Sequence, residues 1–252
     1  MKVLIIALDG QIRDALEAQL AIRQRPFLSV GAEWLNSDTS EQIKPQLNIP
    51  ADIGVVVNAL SLESLQQQAS ESLIDSLAML AQACDRAVIP VISLSTSQVF
   101  DGIDGGRNRE KDEVVPASRE GALLARMEEL LRGSCSRHII LRTGPLFSSR
   151  EDNLLTTLLD RFKAQESLTL SSTGKSCPLH AKDLARVISG LIDQLSCGCN
   201  AWGTYHYCSS DPVSSYQFAE TVLAVVSQYT QANEQLLQLE SVDTADTDWP
   251  RP

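Results

Sequence analysis

The clearest indication of the fold of this chain is residues 52–59, Asp-Ile-Gly-Val-Val-Val-Asn-Ala. The run from Ile53 to Val57 contains no polar side chain. A strand that is buried on both faces, as in a parallel sheet covered by helices, has such an unbroken apolar run, whereas a strand with one solvated face alternates apolar and polar residues. The stretch therefore predicts a central strand of a parallel α/β sheet.

The segments around this strand alternate between strand-like and helix-like patterns. Strands are predicted at 2–7, 27–31, 52–59, 87–95 and 138–142, and helices at 11–23, 62–84 and 116–132. This alternation is typical of the α/β class. It predicts a doubly wound, Rossmann-like parallel sheet whose crossover connections are right-handed.

The pattern loosens after Arg142. Helices are predicted there at 154–164, 181–195 and 214–229, with short strands at 168–170 and 203–208. We therefore expect residues 1–145 to form a Rossmann-like dinucleotide-binding core. Residues 146–252 are expected to complete that core and to form a small, reduced substrate-type lobe. The polar, acidic tail from about residue 231 is expected to be an extended arm or a shortened end.

Composition argues against several classes of function. The chain has 252 residues and a formal net charge of -11, which opposes binding to nucleic-acid phosphates. Its longest apolar runs are far shorter than the ~20 residues that cross a bilayer, and its first residues lack the pattern of a signal peptide. Its six cysteines are expected to be reduced thiols, and their spacing does not predict a metal site. We expect a cytoplasmic protein that binds neither nucleic acid nor membrane.

The first strand leads into Ala7-Leu-Asp-Gly-Gln-Ile-Arg13, at the place of a dinucleotide-binding turn. Such a turn needs small residues at three positions, for the tight turn, for the approach of the pyrophosphate and for close helix packing. Only Gly10 is a glycine in this chain. The candidate residues for contact with a cofactor, NAD or NADP, are Gly10, Gln11, Ile12 and Arg13, with Asn58 and Ala59 after the third strand.

Arg13 stands where the third small residue is expected, and two interpretations of it are open. Its guanidinium group could bind a phosphate at the helix N-terminus, where backbone amides and the helix dipole favour anions. Alternatively, Arg13 is a solvent-facing side chain on a helix that no longer packs closely around a cofactor. The second interpretation is the simpler one, so the turn alone is weak support for a cofactor.

A more specific pattern comes from several segments taken together. They are residues 1–6, 57–59, 95–102, 141–143, 178–185, 202–207 and 212–219, with Ser-Thr-Ser-Gln-Val-Phe-Asp-Gly at 95–102. In this order, over nearly the whole chain, they resemble the dTDP-4-dehydrorhamnose reductases of the extended short-chain dehydrogenase group. The resemblance implies a Rossmann-like core with a substrate lobe. Because the family continues past Pro252 with helical sequence, we expect this lobe to be partly truncated.

The resemblance implies NADPH-dependent reduction of a 4-keto nucleotide sugar. In that chemistry a Tyr protonates the keto oxygen, a Lys one helical turn later lowers the pKa of the Tyr, and a Thr orients the substrate. Thr96 matches the family Thr, whereas Glu120 stands at the Tyr position and Leu124 at the Lys position. The chain therefore looks like a degenerate member of the family that has lost its proton-transfer pair.

Glu120 is a poor substitute acid, because a carboxyl group is ionised at neutral pH unless burial favours its protonated form. Leu124 extends an apolar stripe and is interpreted as a packing residue. Thr96 is either a residual binding residue or a loop cap. The leading hypothesis is a non-catalytic protein that binds a nucleotide, a nucleotide sugar or a protein partner. The alternatives are an active NAD(P)-dependent reductase with atypical acid chemistry and a structural subunit with an empty cleft.

Overall fold

The structure is a computed structural model. It describes residues 1–36, 49–60, 71–100, 108–151, 153–164, 166, 168–229 and 239–242. Contacts divide the chain into two compact units. The first comprises residues 1–143 and 182–207, and the second comprises residues 144–181 and 208–252. The beginning of the helix predicted at 62–84 and most of the tail after residue 231 lie outside the described residues.

The strands and helices that the sequence pattern predicts follow one another along the chain in the expected order, and several further short strands are present. The strands are β1 Lys2–Ile6, β2 Phe27–Val30, β3 Ile53–Asn58, β4 Val91–Thr96, β5 His138–Thr143, β6 Leu146–Phe147, β7 Leu168–Ser171, β8 Lys175–Ser176, β9 Leu179–His180, β10 Gly203–Tyr207, β11 Val213–Ser214 and β12 Leu239–Val242. The described helices are α1 Gln11–Ile22, α2 Glu71–Ala87, α3 Arg119–Ser134, α4 Leu154–Ala164, α5 Ala181–Ser196 and α6 Ser215–Tyr229. Short 3-10 helices lie at Ala32–Asn36 and Ser97–Val99.

A six-stranded sheet forms the centre of the first unit, with the strand order β10-β5-β4-β3-β1-β2. Every neighbouring pair in it is parallel. The chain moves outward from β1 to β2 and then returns to the other side of β1 with β3. This reversal produces the doubly wound arrangement and brings strand ends together at the switch point. The predicted Rossmann-like fold is confirmed.

Both faces of the sheet are covered. Leu4 and Ile6 pack in a core with side chains from α2 and α3, among them Leu80 and Leu124. Because side chains alternate along a strand, Val3 and Ile5 point to the opposite face, and they are also fully buried. The central strands therefore have no solvated face, which explains why their sequences are continuous apolar runs.

The described part of the second unit contains short strands and two helices, α4 and α6. β6 pairs with β9, β7 with β12, and β8 with β11. Helix α6 begins at a reciprocal cap, in which the Ser214 amide donates to Gln217 and the Gln217 amide donates to the Ser214 hydroxyl. A small core is formed where α4 and α6 meet, around Leu158 and Ala219. Across the described part of the chain, none of the helices is both long and apolar enough to cross a membrane.

Candidate functional site

The candidate site lies at the carboxyl edge of the six-stranded sheet. In a parallel sheet the loops that follow neighbouring strands converge at this edge. The amide of Ala59, after β3, donates to the Ile6 carbonyl at the end of β1 over 2.8 Å. Thr96, at the end of β4, is in register with Thr143 at the end of β5. The fold thus gathers the predicted site residues of the first unit along one edge.

The turn between β1 and α1 contains the predicted cofactor contacts. Gly10 is the N-cap of α1 and provides no side-chain hydrogen bond to the free amides of the first turn. Ile12 is buried in the core, and Gln11 is half-buried with the side-chain oxygen lacking a hydrogen-bond partner. Gln11 and Ile12 therefore have different surroundings. The glycine N-cap leaves the backbone amides of the first turn of α1 uncapped by a side chain.

Arg13 is held by two carboxylates. Its Nε donates to Glu17 over 3.0 Å, and its Nη1 forms a short ion pair with Asp9 in the turn. The hydrogen bond to Glu17, with the charges of Asp9 and Glu17, raises the pKa of Arg13 above its usual value. Its positive charge is therefore already balanced by residues four positions away on either side.

This arrangement does not fit a dinucleotide pyrophosphate. The Asp9 side chain is 95% exposed and lies at the N-terminus of α1, where a phosphate would have to approach. Its negative charge repels a phosphate and competes for the Arg13 guanidinium group.

Asn58 and Ala59 are both buried at the end of β3. The Asn58 amide nitrogen donates to the Ser93 hydroxyl over 3.0 Å and contacts the Met127 sulfur, and its oxygen accepts from the Leu60 amide over 3.4 Å. The neighbouring cavity has a volume of about 20 Å³, enough for roughly one water molecule. The Asn58 side chain thus holds β3, β4 and α3 together from inside the core.

Thr96 caps the 3-10 helix that follows β4. Its hydroxyl oxygen accepts a hydrogen bond from the Gln98 amide over 3.2 Å. This is the local role that Thr commonly has at a helix start, where its short side chain satisfies a free backbone amide. Thr96 is half-buried, so the same side chain also remains partly accessible at the sheet edge.

Glu120 lies in the first turn of α3, after the N-cap Ser118, whose hydroxyl accepts from the Gly121 amide over 3.0 Å. A negative side chain in the first turn interacts favourably with the helix dipole. The Glu120 side chain is half-buried at this helix start.

Gly121 fixes the distance between α3 and the end of β4. A Cβ atom at this position would overlap the Gln98 carbonyl oxygen and lie 3.0 Å from the Pro116 Cβ. Only a glycine allows this close approach. The first turn of α3, which contains Glu120, therefore lies in close contact with the 97–99 segment after Thr96.

Leu124 follows Glu120 by one helical turn and is 1% exposed. It belongs to the core that α3 forms with α2 and the sheet. Full burial of a leucine side chain contributes about 1.5–3 kcal/mol. The family resemblance implies a Lys at this position. In this chain the position is a core residue whose side chain has no polar atom.

Two buried charged residues lie beside these positions and were not predicted. Arg142 of β5 donates from Nε to Glu128 Oε1 over 2.9 Å and from Nη2 to Oε2 over 2.6 Å. The side chains of Arg142 and Glu128 are 3% and 1% exposed. Arg132 also donates to Glu128 over 2.6 Å. Burial alone would raise the pKa of Glu128, but the hydrogen bonds from Arg142 and Arg132 hold it below its usual value.

The sequence contains a signal for this pair. Arg142 interrupts an otherwise apolar strand, and Glu128 interrupts the buried face of α3 between Met127 and Leu131. Because a charged side chain is almost never fully buried without a partner, the two residues predict each other. Over the described ranges, by contrast, no group of three or more His, Cys, Asp or Glu residues is placed to hold a metal ion.

Known proteins show which family this chain belongs to. The sequence model of the family described as the RmlD substrate binding domain matches residues 1–252. The chain is 28% identical to a dTDP-4-dehydrorhamnose reductase of Aggregatibacter actinomycetemcomitans, over 76% of this chain and 67% of that protein. It is 24% identical to one of Sinorhizobium fredii, over 100% of this chain and 86% of that protein.

Solved structures show the same fold. A dTDP-4-dehydrorhamnose reductase from Clostridium acetobutylicum superposes with a TM-score of 0.77 at 21% identity, over 99% of this chain and 86% of that one. A dTDP-4-dehydrorhamnose reductase from Bacillus anthracis, crystallised in complex with NADP, has a TM-score of 0.75 at 17% identity, over 97% of this chain and 85% of that one.

Proposed function

This chain belongs to the family of the RmlD substrate binding domain, and on that premise we propose that it is a non-catalytic binding protein on a reductase scaffold. Its ligand is a nucleotide, a nucleotide sugar or a protein partner. The observation that carries the proposal is Leu124, 1% exposed in the core of α3 at the position where the family resemblance implies a Lys.

The proton-transfer chemistry of a reductase needs a polar pair on one helix face. Side chains at i and i+4 of a helix are neighbours, which allows a Lys to lower the pKa of a Tyr one turn before it. In this chain the first member is Glu120, which is half-buried, and the second is an apolar core residue. On this proposal, the helix face therefore lacks the second polar member of such a pair.

The turn after β1 supports the same proposal. In the Asp9–Arg13–Glu17 arrangement two carboxylates outweigh one guanidinium group, and this negative charge at the N-terminus of α1 disfavours a pyrophosphate. A dTDP-sugar or a protein partner does not depend on this turn. We therefore expect either of these ligands to bind more tightly than NADH or NADPH.

Ligand titration tests the proposal. The purified protein is titrated with NADH, NADPH and a dTDP-sugar while thermal unfolding and nicotinamide fluorescence are recorded, and reduction is then assayed. A ligand that binds the folded state stabilises it by RT ln(1 + [L]/Kd), which is about 2.7 kcal/mol at a ligand concentration of 100 Kd. We expect the dTDP-sugar to stabilise the protein. If no nucleotide stabilises it, we expect a partner protein to co-purify with it.

Turnover would contradict the proposal in a specific way. If reduction occurs and disappears in Glu120→Gln, the protein is an active reductase with a carboxylic acid as proton donor. Glu129→Gln is the matched control, because Glu129 is an exposed residue of the same helix. Loss of turnover in both variants would indicate damage to α3 rather than loss of an acid.

A further inference from the structure

The loop between α5 and β10 contains a pair of cysteines that the proposed function does not use. Cys197 directly follows the last residue of α5, and Cys199 comes two positions later, in the sequence Cys-Gly-Cys. Because the strands of the six-stranded sheet are parallel, the loop that leads into β10 lies at the edge where the strands begin. This edge is opposite to the candidate functional site.

The end of α5 folds this loop into a defined turn. The Cys199 amide donates to the Gln194 carbonyl over 3.0 Å, and the Gly198 amide donates to the Leu195 carbonyl over 3.0 Å. With Gly198 at a φ of 83°, these two bonds form a Schellman motif, in which a residue in the left-handed region ends the helix. The two cysteines therefore lie on either side of the residue at which the chain reverses.

The turn at Gly198 suits a disulfide between the two cysteines. In an extended chain, Cα atoms two positions apart are separated by about 7 Å, whereas a disulfide usually joins Cα atoms that are about 4.4–6.8 Å apart. A turn at the intervening residue shortens this separation. The backbone at 197–199 is therefore already folded in the way that a bond between the two sulfurs requires.

Accessibility separates this pair from other cysteines of the chain. Cys197 is exposed and Cys199 is half-buried. Cys84 and Cys135 are buried in the core, and burial raises the pKa of Cys84 to about 12. Because the thiolate is the nucleophile in disulfide exchange, such buried thiols are inert. Cys208 is exposed, but no other cysteine lies within two positions of it in the sequence.

Two arginines lie beside the end of α5. Arg25 donates from Nη1 to the hydroxyl of Ser196, the residue before Cys197, over 3.2 Å. Arg23 and Arg25 also form ion pairs with Asp193 in the last turn of the helix. Among these three charged groups two are cations, and their excess of positive charge favours negative charge at this helix end. Reactive cysteines are typically found in such electropositive, partly exposed surroundings.

We propose that Cys197 and Cys199 form a dithiol site that undergoes exchange with small disulfides such as oxidised glutathione. The more exposed Cys197 thiolate attacks one sulfur of the small disulfide, forms a mixed disulfide and releases one thiolate. The Cys199 thiolate then attacks the Cys197 sulfur, forms the Cys197–Cys199 bond and releases the second thiolate. Two electrons pass from the cysteine pair to the small disulfide, and the two protons of the pair end on the released thiols.

Mass spectrometry of the whole chain tests this site. The folded, fully reduced protein is incubated with oxidised glutathione, its remaining thiols are alkylated, and its peptides are analysed without reduction. We expect the peptide that contains Cys197 and Cys199 to have lost two hydrogen atoms and to carry neither glutathione nor an alkyl group. Reduced glutathione should restore the dithiol, because exposed disulfides are the ones that exchange readily with small thiols.

Cys208 is the matched control within the wild type. It is exposed and has no cysteine beside it in the sequence, so it should bind glutathione and remain a mixed disulfide. Cys199→Ser should give Cys197 the same behaviour, with loss of the internal disulfide and retention of glutathione. Cys197→Ser should also lose the internal disulfide, and the half-buried Cys199 should then bind less glutathione than Cys197 does in Cys199→Ser.

Three results would overturn the proposal. The first is a wild type in which Cys197 keeps its glutathione, as Cys208 does, because the two cysteines would then not act as a pair. The second is a wild type in which Cys197 and Cys199 are both alkylated although Cys208 has reacted. The third is an internal disulfide that reduced glutathione does not reverse, which would be a structural bond rather than an exchange site. All three are measured on the wild type, so the test does not depend on the folding of a variant.

Discussion

Two arginines at the same edge of the sheet hold carboxylates in opposite ways. Arg13 pairs with Asp9 and Glu17, each four positions away, and the Asp9 side chain is 95% exposed. Arg142 makes two bonds to Glu128 on another element, and the side chains of Arg142 and Glu128 are almost completely buried. The first arrangement is local and partly solvated, whereas the second joins a strand to a helix inside the core.

The difference shows which part of the scaffold can change. An exposed local ion pair contributes little to stability, because water and salt screen it, so its residues can be replaced without consequences for the fold. A buried pair cannot lose one partner without leaving an uncompensated charge. Substitutions in the turn after β1 should therefore cost little stability, whereas the buried pair that joins α3 to β5 should not tolerate the loss of one partner.

The largest effect is expected from Glu128→Ala. Removal of the carboxylate leaves the buried Arg142 unpaired, and breaking a buried pair in this way costs about 3–5 kcal/mol. Urea unfolding followed by circular dichroism should show this loss of unfolding free energy. Glu129→Ala, on the exposed face of the same helix, should change stability by less than about 0.5 kcal/mol. Similar values for the two variants would mean that Arg142 finds other partners and that the buried pair is not the fixed element.

A smaller effect is expected from Gly121→Ala. The added methyl group overlaps the Gln98 carbonyl oxygen, and such overpacking costs about 1–3 kcal/mol. The higher helix propensity of Ala offsets up to about 1 kcal/mol of that cost. Gly133→Ala is the matched control in α3, because a Cβ atom there has no neighbour within 4 Å. It should be neutral or stabilising, and destabilisation by both substitutions would indicate that α3 itself resists change rather than its contact with Gln98.

Much of the fold could be predicted from the sequence, because the apolar runs are long and separated by clear helical patterns. The strand predicted at 52–59 is β3, Ile53–Asn58, and the helix predicted at 154–164 is α4 with the same bounds. The two-residue strands such as β8 and β11 were not predicted. They have no periodicity of their own and exist only because they pair with each other.

The contacts within the candidate site were less predictable. Spacing in the sequence identifies which residues can face each other on one helix, and the Arg13–Glu17 pair follows that rule. It cannot identify contacts between distant elements, such as the Asn58 amide with Ser93 or the His206 amide with Glu110. These contacts depend on strand order and register, which the apolar pattern alone does not determine.

The smallest effect is expected from Arg13→Gln. Each exposed i, i+4 ion pair contributes about 0.2–0.5 kcal/mol, so loss of both pairs should cost less than about 1 kcal/mol in urea unfolding at low salt. In about 1 M NaCl the screening length is about 3 Å, and the difference from the wild type should nearly vanish. The cost of Glu128→Ala should persist at the same salt concentration, because water and ions do not reach the buried pair. A large or salt-independent cost for Arg13→Gln would instead show that the turn after β1 helps to hold the fold, in which case its departure from the family pattern is not free.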